Sequence, residues 1–247
     1  KEAGADILCF AKGVAACDYN NDGYMDICIS SQGTENFLLR NDTGKNGGKI
    51  KFTDVTKEAG VGLPIKSFPV AFLDFNNDGW QDLTIQTYDA ENCDYDNAAE
   101  YFNKPVKGEY SILYKNNGDG TFTDITKEMN MQVAMTVMGL SFGDLDNDGW
   151  MDIYSGTGTP NYTSLVPKRM FRNNEGKSYQ DITHSGGFGH LQKGHGIGFG
   201  DVDNDGDQDV YEDMGGGYEG DGFQGAFYEN PGISGNNWVS LQLVGVK

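Results

Sequence analysis

Asp144-Leu-Asp146-Asn-Asp148-Gly149-Trp150-Met-Asp152 decides the reading of this chain. Three more stretches share its frame: Asp18-Tyr-Asn20-Asn-Asp22-Gly23-Tyr24-Met-Asp26, Asp74-Phe-Asn76-Asn-Asp78-Gly79-Trp80-Gln-Asp82 and Asp201-Val-Asp203-Asn-Asp205-Gly206-Asp207-Gln-Asp209. Each reads D-x-[D/N]-x-D-G-x-x-D. Hard cations such as Ca²⁺ take six to eight oxygens at about 2.3–2.6 Å. Carboxylates or amides at alternate positions all point inward when the backbone curls around one such ion. The Gly supplies the sharp turn, because it accepts backbone angles that a Cβ forbids. The spacing predicts four calcium loops with one ion each.

The match extends outward from the loops. Before them come Gly13-Val-Ala-Ala-Cys17, Pro69-Val-Ala-Phe-Leu73, Gly139-Leu-Ser-Phe-Gly143 and Gly196-Ile-Gly-Phe-Gly200. Apolar residues recur at every second position, which is strand periodicity. The opposite parity is small (Ala15, Ala71, Ser141, Gly198), as where two sheets press close. After each loop a second short strand is expected (Ile27–Ile29, Leu83–Ile85, Ile153–Tyr154, Val210–Tyr211), then a third ending in Asn41, Asn116, Asn173 or Asn230. A turn rich in Asn and Gly leads to a fourth: Phe52-Thr-Asp-Val-Thr56, Phe122-Thr-Asp-Ile-Thr126 and Tyr179-Gln-Asp-Ile-Thr183, with Trp238–Val244 in that place in the last unit.

Repeated four-stranded antiparallel sheets of this length are propeller blades. The expected fold is therefore all-β: a single β-propeller domain over 1–247, with repeats at about 5–60, 61–130, 131–185 and 186–247. Four repeats either close a small ring or form part of a larger one, and an open arc would leave strand edges that recruit partners. Helix is expected only as short turns near Lys57–Gly60 and Lys127–Asn130. The main insertion, Tyr88–Tyr110, is acidic and aromatic; a shorter one covers Thr157–Val166.

An EF-hand opens with the same spacing but requires flanking helices and a bidentate Glu at the twelfth place. That place holds Ile29, Ile85, Ser155 and Glu212, and the flanks alternate like strands, so the EF-hand is set aside.

The composition agrees. The loops hold three, three, four and five acidic residues, 15 of the 37 in the chain, whose net charge is −19. Without metal their mutual repulsion should open them, which makes calcium part of the fold. An acidic chain argues against nucleic acid, whose affinity comes from Lys and Arg displacing counterions. No apolar run approaches the ~18–20 residues of a membrane span. Gly at 36 of 247 residues, with 14 Phe, 13 Tyr and 3 Trp, fits many turns around an aromatic core rather than disorder. Lys1 opens neither a Met start nor a signal-peptide pattern, so the chain is expected to be processed or a piece of something longer. Cys9, Cys17, Cys28 and Cys93 allow three disulfide pairings, Cys17–Cys28 among them, or four thiols.

Other motifs are weaker. His184, His190 and His195 lack converging partners for catalysis. Trp80 and Trp150, at one loop position, are expected to pack between blades. The Gly-rich run 215–222 lacks the Lys-Ser/Thr of a phosphate loop. Asn41-Asp-Thr43 and Asn161-Tyr-Thr163 fit the glycosylation sequon.

These residues resemble the FG-GAP/VCBS repeat family of calcium-loop β-propellers, within it the cartilage-acidic-protein-like branch, over nearly the whole chain. The segments 189–196, 227–231 and 236–245 also look like that branch, and 236–247 resembles the start of a truncated ASPIC/UnbV-type segment. Family propellers commonly have seven blades, whereas this chain offers four; Lys1-Glu2-Ala3-Gly4 repeats Lys57-Glu58-Ala59-Gly60, as though a unit preceded it. The resemblance implies side-chain ligands at the first, third, fifth and ninth places of each loop. It implies backbone carbonyl ligands from Tyr24, Trp80, Trp150 and Asp207, with the Asp207 side chain turned outward. It also implies a secreted or cell-surface, non-enzymatic adhesion, scaffold or structural module. Its partners would be calcium and another protein or further copies in a ring, lattice or fibre. A calcium-dependent glycan-binding module using the insertion aromatics is the alternative, and an enzyme on a propeller scaffold the weaker one.

Overall fold

Period-two sequence on both sides of each loop folds into hairpins, and the hairpins into blades. In the computed structural model, which describes residues 2–232, 235–239, 241, 244 and 245, the first blade is β1 (Ala11–Cys17), β2 (Asp26–Ser31), β3 (Phe37–Asn41) and β4 (Phe52–Asp54). The second is β5 (Ser67–Leu73), β6 (Asp82–Thr87), β7 (Ile112–Asn116) and β8 (Phe122–Asp124). The third is β9 (Val137–Gly143), β10 (Asp152–Thr157), β11 (Arg169–Asn173) and β12 (Tyr179–Asp181). All strands pair antiparallel with their sequence neighbours.

The fourth blade has three strands among the described residues: β13 (Gly194–Gly200), β14 (Asp209–Met214) and β15 (Ala226–Tyr228). A fourth strand was expected at Trp238–Val244. Trp238, Val239, Leu241 and Val244 are not in a strand, and positions 240, 242 and 243 lie outside the described residues.

The two parities of each blade do different work. Ala15, Cys17, Cys28 and Leu38 of the first blade meet Val70, Phe72, Leu83, Ile85 and Tyr114 of the second. Leu73 and Leu113 of the second meet Leu140, Ile153 and Phe171 of the third. Tyr154 and Met170 of the third meet Ile197, Phe199, Val210 and Tyr228 of the fourth. The forward face of a blade is thus the small-residue parity of its first strand, and the backward face carries the larger residues. The first strands pack in series, β1 on β5, β5 on β9 and β9 on β13, and among the described residues β13 and β1 share no comparable packing. The blades form an open arc, whose two end faces expose Val14 (65%) in the first blade and Tyr211 (51%) in the fourth.

The F-x-D-[V/I]-T segment after each turn closes a blade by hydrogen bonds. Asp54 Oδ1 accepts from Thr56 N (3.0 Å) and Thr56 Oγ1 (2.6 Å), and Thr56 Oγ1 accepts from Leu38 N at 2.9 Å. Asp124–Thr126 with Leu113 and Asp181–Thr183 with Met170 repeat the arrangement.

Among the described residues helix is limited to a 3-10 turn at Gly44–Asn46, α1 (Thr56–Ala59), where a turn was expected, and α2 (Cys93–Tyr101) inside the long insertion, which periodicity did not reveal. In α2 the buried face is Cys93, Asp96 and Ala99. Asp96 carboxylate oxygens accept from Lys107 N (2.7 Å) and Gly108 N (2.9 Å), which ties the insertion back on itself. All four cysteines are free thiols, so no disulfide pairing forms. No helix among the described residues is long and apolar enough to cross a membrane.

Candidate metal centres

Each acidic loop joins the first hairpin of a blade. The last residue of the first strand pairs with the ninth loop residue: Cys17 with Asp26, Leu73 with Asp82, Gly143 with Asp152, Gly200 with Asp209. All four loops therefore lie at one end of the arc. Two residues per loop are left-handed, the fourth-place Asn (Asn21, Asn77, Asn147, Asn204; φ 55, 53, 54 and 63°) and the sixth-place Gly (Gly23, Gly79, Gly149, Gly206; φ 83 to 97°). Asn and Gly are the residues that tolerate this region.

The curl is held by the carboxylates themselves. Asp144 Oδ1 accepts from Asp148 N at 3.0 Å and its Oδ2 from Gly149 N at 2.8 Å. Asp18, Asp74 and Asp201 do the same in their loops. The fifth-place carboxylates of Asp22, Asp78, Asp148 and Asp205 accept from the seventh-place N–H.

The ninth carboxylate is the anchor. Asp26, Asp82, Asp152 and Asp209 are at most 2% exposed. Each takes one N–H from the second loop residue and one from the Asn ending the third strand: for Asp152, Leu145 N at 2.8 Å and Asn173 N at 2.7 Å. Burial pushes Asp82 and Asp152 up to about 7 and Asp26 up to about 6, against the pull of those two N–H bonds. A nearby cation would reverse that shift.

The donor set fits a hard divalent cation. Asp144, Asp146 and Asp152 bring carboxylate oxygens within 4.8 Å of one another, and Asp201, Asp203 and Asp205 do likewise. Asp146 Oδ1 is buried without a hydrogen-bond partner, an acceptor inside the loop that a cation would satisfy. In the first two loops the third place is an amide, with Asn20 Nδ2 donating to Asp22 Oδ2 (3.1 Å) and Asn76 Nδ2 to Asp78 Oδ2 (2.9 Å). Turning that amide presents its oxygen to an ion.

One detail corrects the sequence reading. Asp207 does not turn outward: it is 6% exposed and lies against the Gly232 turn, its Oδ1 without a partner, and burial raises it to about 6. The rings of Trp80 and Trp150 lie over Gly118 and Gly176 of the turn between the third and fourth strands, and Gly176 also approaches Asn76 of the second loop.

Sequence reasoning missed two sets of amides that tie the loops into a belt. Asn21 Nδ2 donates to Gly79 O (3.3 Å), Asn77 to Gly149 O (2.9 Å) and Asn147 to Gly206 O (3.1 Å), each reaching the next loop. In the other direction Asn116 Nδ2 donates to Tyr19 O (2.8 Å), Asn173 to Phe75 O (2.8 Å) and Asn230 to Leu145 O (2.6 Å). Their recurrence in all four repeats was the available signal.

The FG-GAP-like repeat family matches residues 13–85 and 106–155. Cartilage acidic protein 1 of Homo sapiens is 26% identical over 170 residues, 67% of this chain and 22% of that protein. Integrin alpha-3 of Mus musculus is 29% identical over 124 residues, 49% of this chain and 10% of that protein. The chain thus spans about a fifth and a tenth of the lengths of these relatives. Among solved structures, BBS1N in its complex with ARL6DN superposes with a TM-score of 0.43 at 9% identity, over 84% of this chain and 52% of that one. Three of the four loops lie inside the matched segments, in blades of one construction, and the chain belongs to the FG-GAP-like repeat family.

Proposed function

We propose that the chain is an extracellular, non-enzymatic binding module of the adhesion or scaffold type, whose blades are stiffened by one Ca²⁺ per loop. Asp18, Asn20, Asp22 and Asp26, and their counterparts in the other loops, would hold the ion, with the seventh-place carbonyl as a fifth oxygen. The ion supplies charge neutralisation and rigidity rather than chemistry. The observation that carries this reading is the belt of four oxygen-lined loops at one end of the arc, joined blade to blade by amide bonds. Extracellular sites of this kind often have Kd near 10⁻⁴–10⁻³ M, so they fill outside cells and empty in cytosol.

A site filled at about twenty times its Kd contributes about 1.8 kcal/mol. Four sites then contribute about 7 kcal/mol, or roughly 15–25 °C in melting temperature for a chain of this size. The test is thermal unfolding in 2 mM CaCl₂ and in chelator, with bound calcium counted by atomic emission. A melting temperature that stays put, or fewer than one ion per chain, removes the proposal.

A calcium-dependent glycan reader is the second reading. A cavity of about 530 Å³ between α2 and the 157–168 connection brings Asp94, Asn97, Glu100, Tyr101, Arg169 and His184 together. These are planar hydrogen-bonding groups beside an aromatic ring, as saccharides require. A glycan array without a calcium-dependent hit removes it.

A further inference from the structure

The junction of the third and fourth blades buries an amine against a carboxyl. Lys168, the residue before β11, and Glu212 of β14 are both fully buried, with Nζ 3.5 Å from Oε1. The corresponding places hold Asn36 and Ile85 at the first junction and Ser111 and Ser155 at the second. As an ion pair the contact is poorly made. Glu212 Oε1 has no hydrogen-bond partner, and a buried pair offsets its desolvation only in close, fully hydrogen-bonded geometry. Lys193 and Asp221, at 2.8 Å, are such a pair. Burial lowers Lys168 and raises Glu212 to about 7, against the pull of each on the other. Both shifts favour the uncharged forms. The surroundings of Nζ fit a neutral amine. Its two N–H groups meet the carbonyls of Gln192 and, at 3.5 Å, His190, which leaves the lone pair for Glu212. Tyr154 Oη donates to Glu212 Oε2 at 3.0 Å. Gly194 allows the two side chains to meet, since a Cβ there would overlap Oε1 and Lys168 Cε.

We propose that Lys168 and Glu212 condense into an isopeptide bond, a covalent cross-link between the third and fourth blades. The lone pair of Nζ attacks Cδ, and the carbonyl electron pair moves onto Oε2, where the Tyr154 hydroxyl stabilises the developing charge. Oε1 leaves as water, with the acid's own proton and one from Nζ. One C–N bond forms, one C–O bond breaks, and no oxidant or reductant takes part. The product is a secondary amide whose N–H retains the carbonyl of Gln192 and whose oxygen retains Tyr154. The fold supplies the proximity that a free amine and a free acid lack. It also supplies a dry setting, which removes the hydration that in water holds such a pair as ions. The cross-link lies away from the metal loops, because Lys168 precedes the strand whose far end, Asn173, bonds the loop anchor Asp152. Amide bonds between loops and a covalent bond would thus tie these two blades at opposite ends.

The intact mass of the whole chain, measured in denaturant, decides the matter without any variant. It should fall below the sequence mass by one water, about 18 Da. Tryptic mapping should show cleavage after Lys168 blocked and a branched peptide that carries both residues. Lys168→Met and Glu212→Ala should each restore the full mass. In freshly translated chain, Tyr154→Phe, which keeps the ring, should slow the mass loss at least tenfold. A chain of full sequence mass overturns the proposal. So does a water loss that maps to an Asp-Gly pair of the loops, which can dehydrate by itself, with Lys168 still cleaved. An unchanged rate in Tyr154→Phe overturns the mechanism.

Discussion

The third and fourth loops share a motif and differ in what the protein sets against their charge. In the third, Arg172 pairs with Asp146 and lies 4.0 Å from Asp148. In the second, Lys115 from the same place approaches Asp78 at 3.8 Å. In the fourth that place is Glu229, the loop carries five carboxylates, and Asp201, Asp203 and Asp205 are exposed. The third loop is also tied to neighbours on both sides, by Asn77 from behind and by Asn147 and Asn230 ahead. One ligand pattern can thus sit on a propped or an unpropped scaffold. The fourth loop should owe its closed form to the ion far more than the third.

Calcium removal gives the largest effect and separates the two. Hydrogen exchange in chelator should show the amides of Asp205, Gly206 and Asp207 unprotected at calcium concentrations where those of Asp148, Gly149 and Trp150 still resist. Simultaneous loss in both loops would erase the distinction drawn between them.

Next comes the buried anchor. Asp152→Ala strands two buried N–H groups, those of Leu145 and Asn173, and should cost about 2–4 kcal/mol in urea unfolding at saturating calcium. Asp209→Ala, in the end blade, should cost less. An equal cost would mean that blade position does not matter.

Acidity gives a smaller, graded effect. In the metal-free protein Asp82 and Asp152 sit at about 7 and Asp26 at about 6, above the ~3.9 of an unfolded Asp. A raised carboxyl contributes stability that is complete below about pH 4 and is lost as pH rises through 6 to 7. Metal-free protein should therefore weaken from pH 5 to 8. Calcium needs the ionised form, so its affinity for the first three loops should fall as pH drops through these values, by up to about tenfold per unit. Calorimetry in buffers of different ionisation heat should register protons released on binding at pH 6 and almost none at pH 8. Equal release at both would contradict the assignment.

The smallest effect tests the props directly. Arg172→Ala should lower metal-free stability by about 0.5 kcal/mol, since the side chain is half exposed, and Glu229→Lys should raise it by a similar amount. With calcium bound both differences should shrink.

The curled loops and the strands beside them were readable because each is written within about twenty residues: a turn motif, alternation, a second alternation. What escaped notice has partners far along the chain or a context that local pattern lacks. The fourth-place Asn bonds a carbonyl 58 to 72 residues away, and nothing in its own loop announces that. Asp207 looked like a surface acid in its own loop, but it is buried, with the Gly232 turn from 25 residues further on lying against its carboxylate. Helix α2 hid in a short acidic stretch without a side-chain capping hydrogen bond, and its Cys93 and Ala99 are buried, with Cys93 Sγ 3.3 Å from Ser164 Oγ of the shorter insertion.

The unequal parities of the blades give the array a direction. In the first strands of the blades the small residues Ala15, Ala71 and Ser141 face ahead, and the larger Val70, Leu140 and Ile197 face behind. Two blades therefore fit in one order and not in the reverse, like stacked cups. A blade duplicated or grafted in the same sense should find a ready seat, and an inverted one should find none.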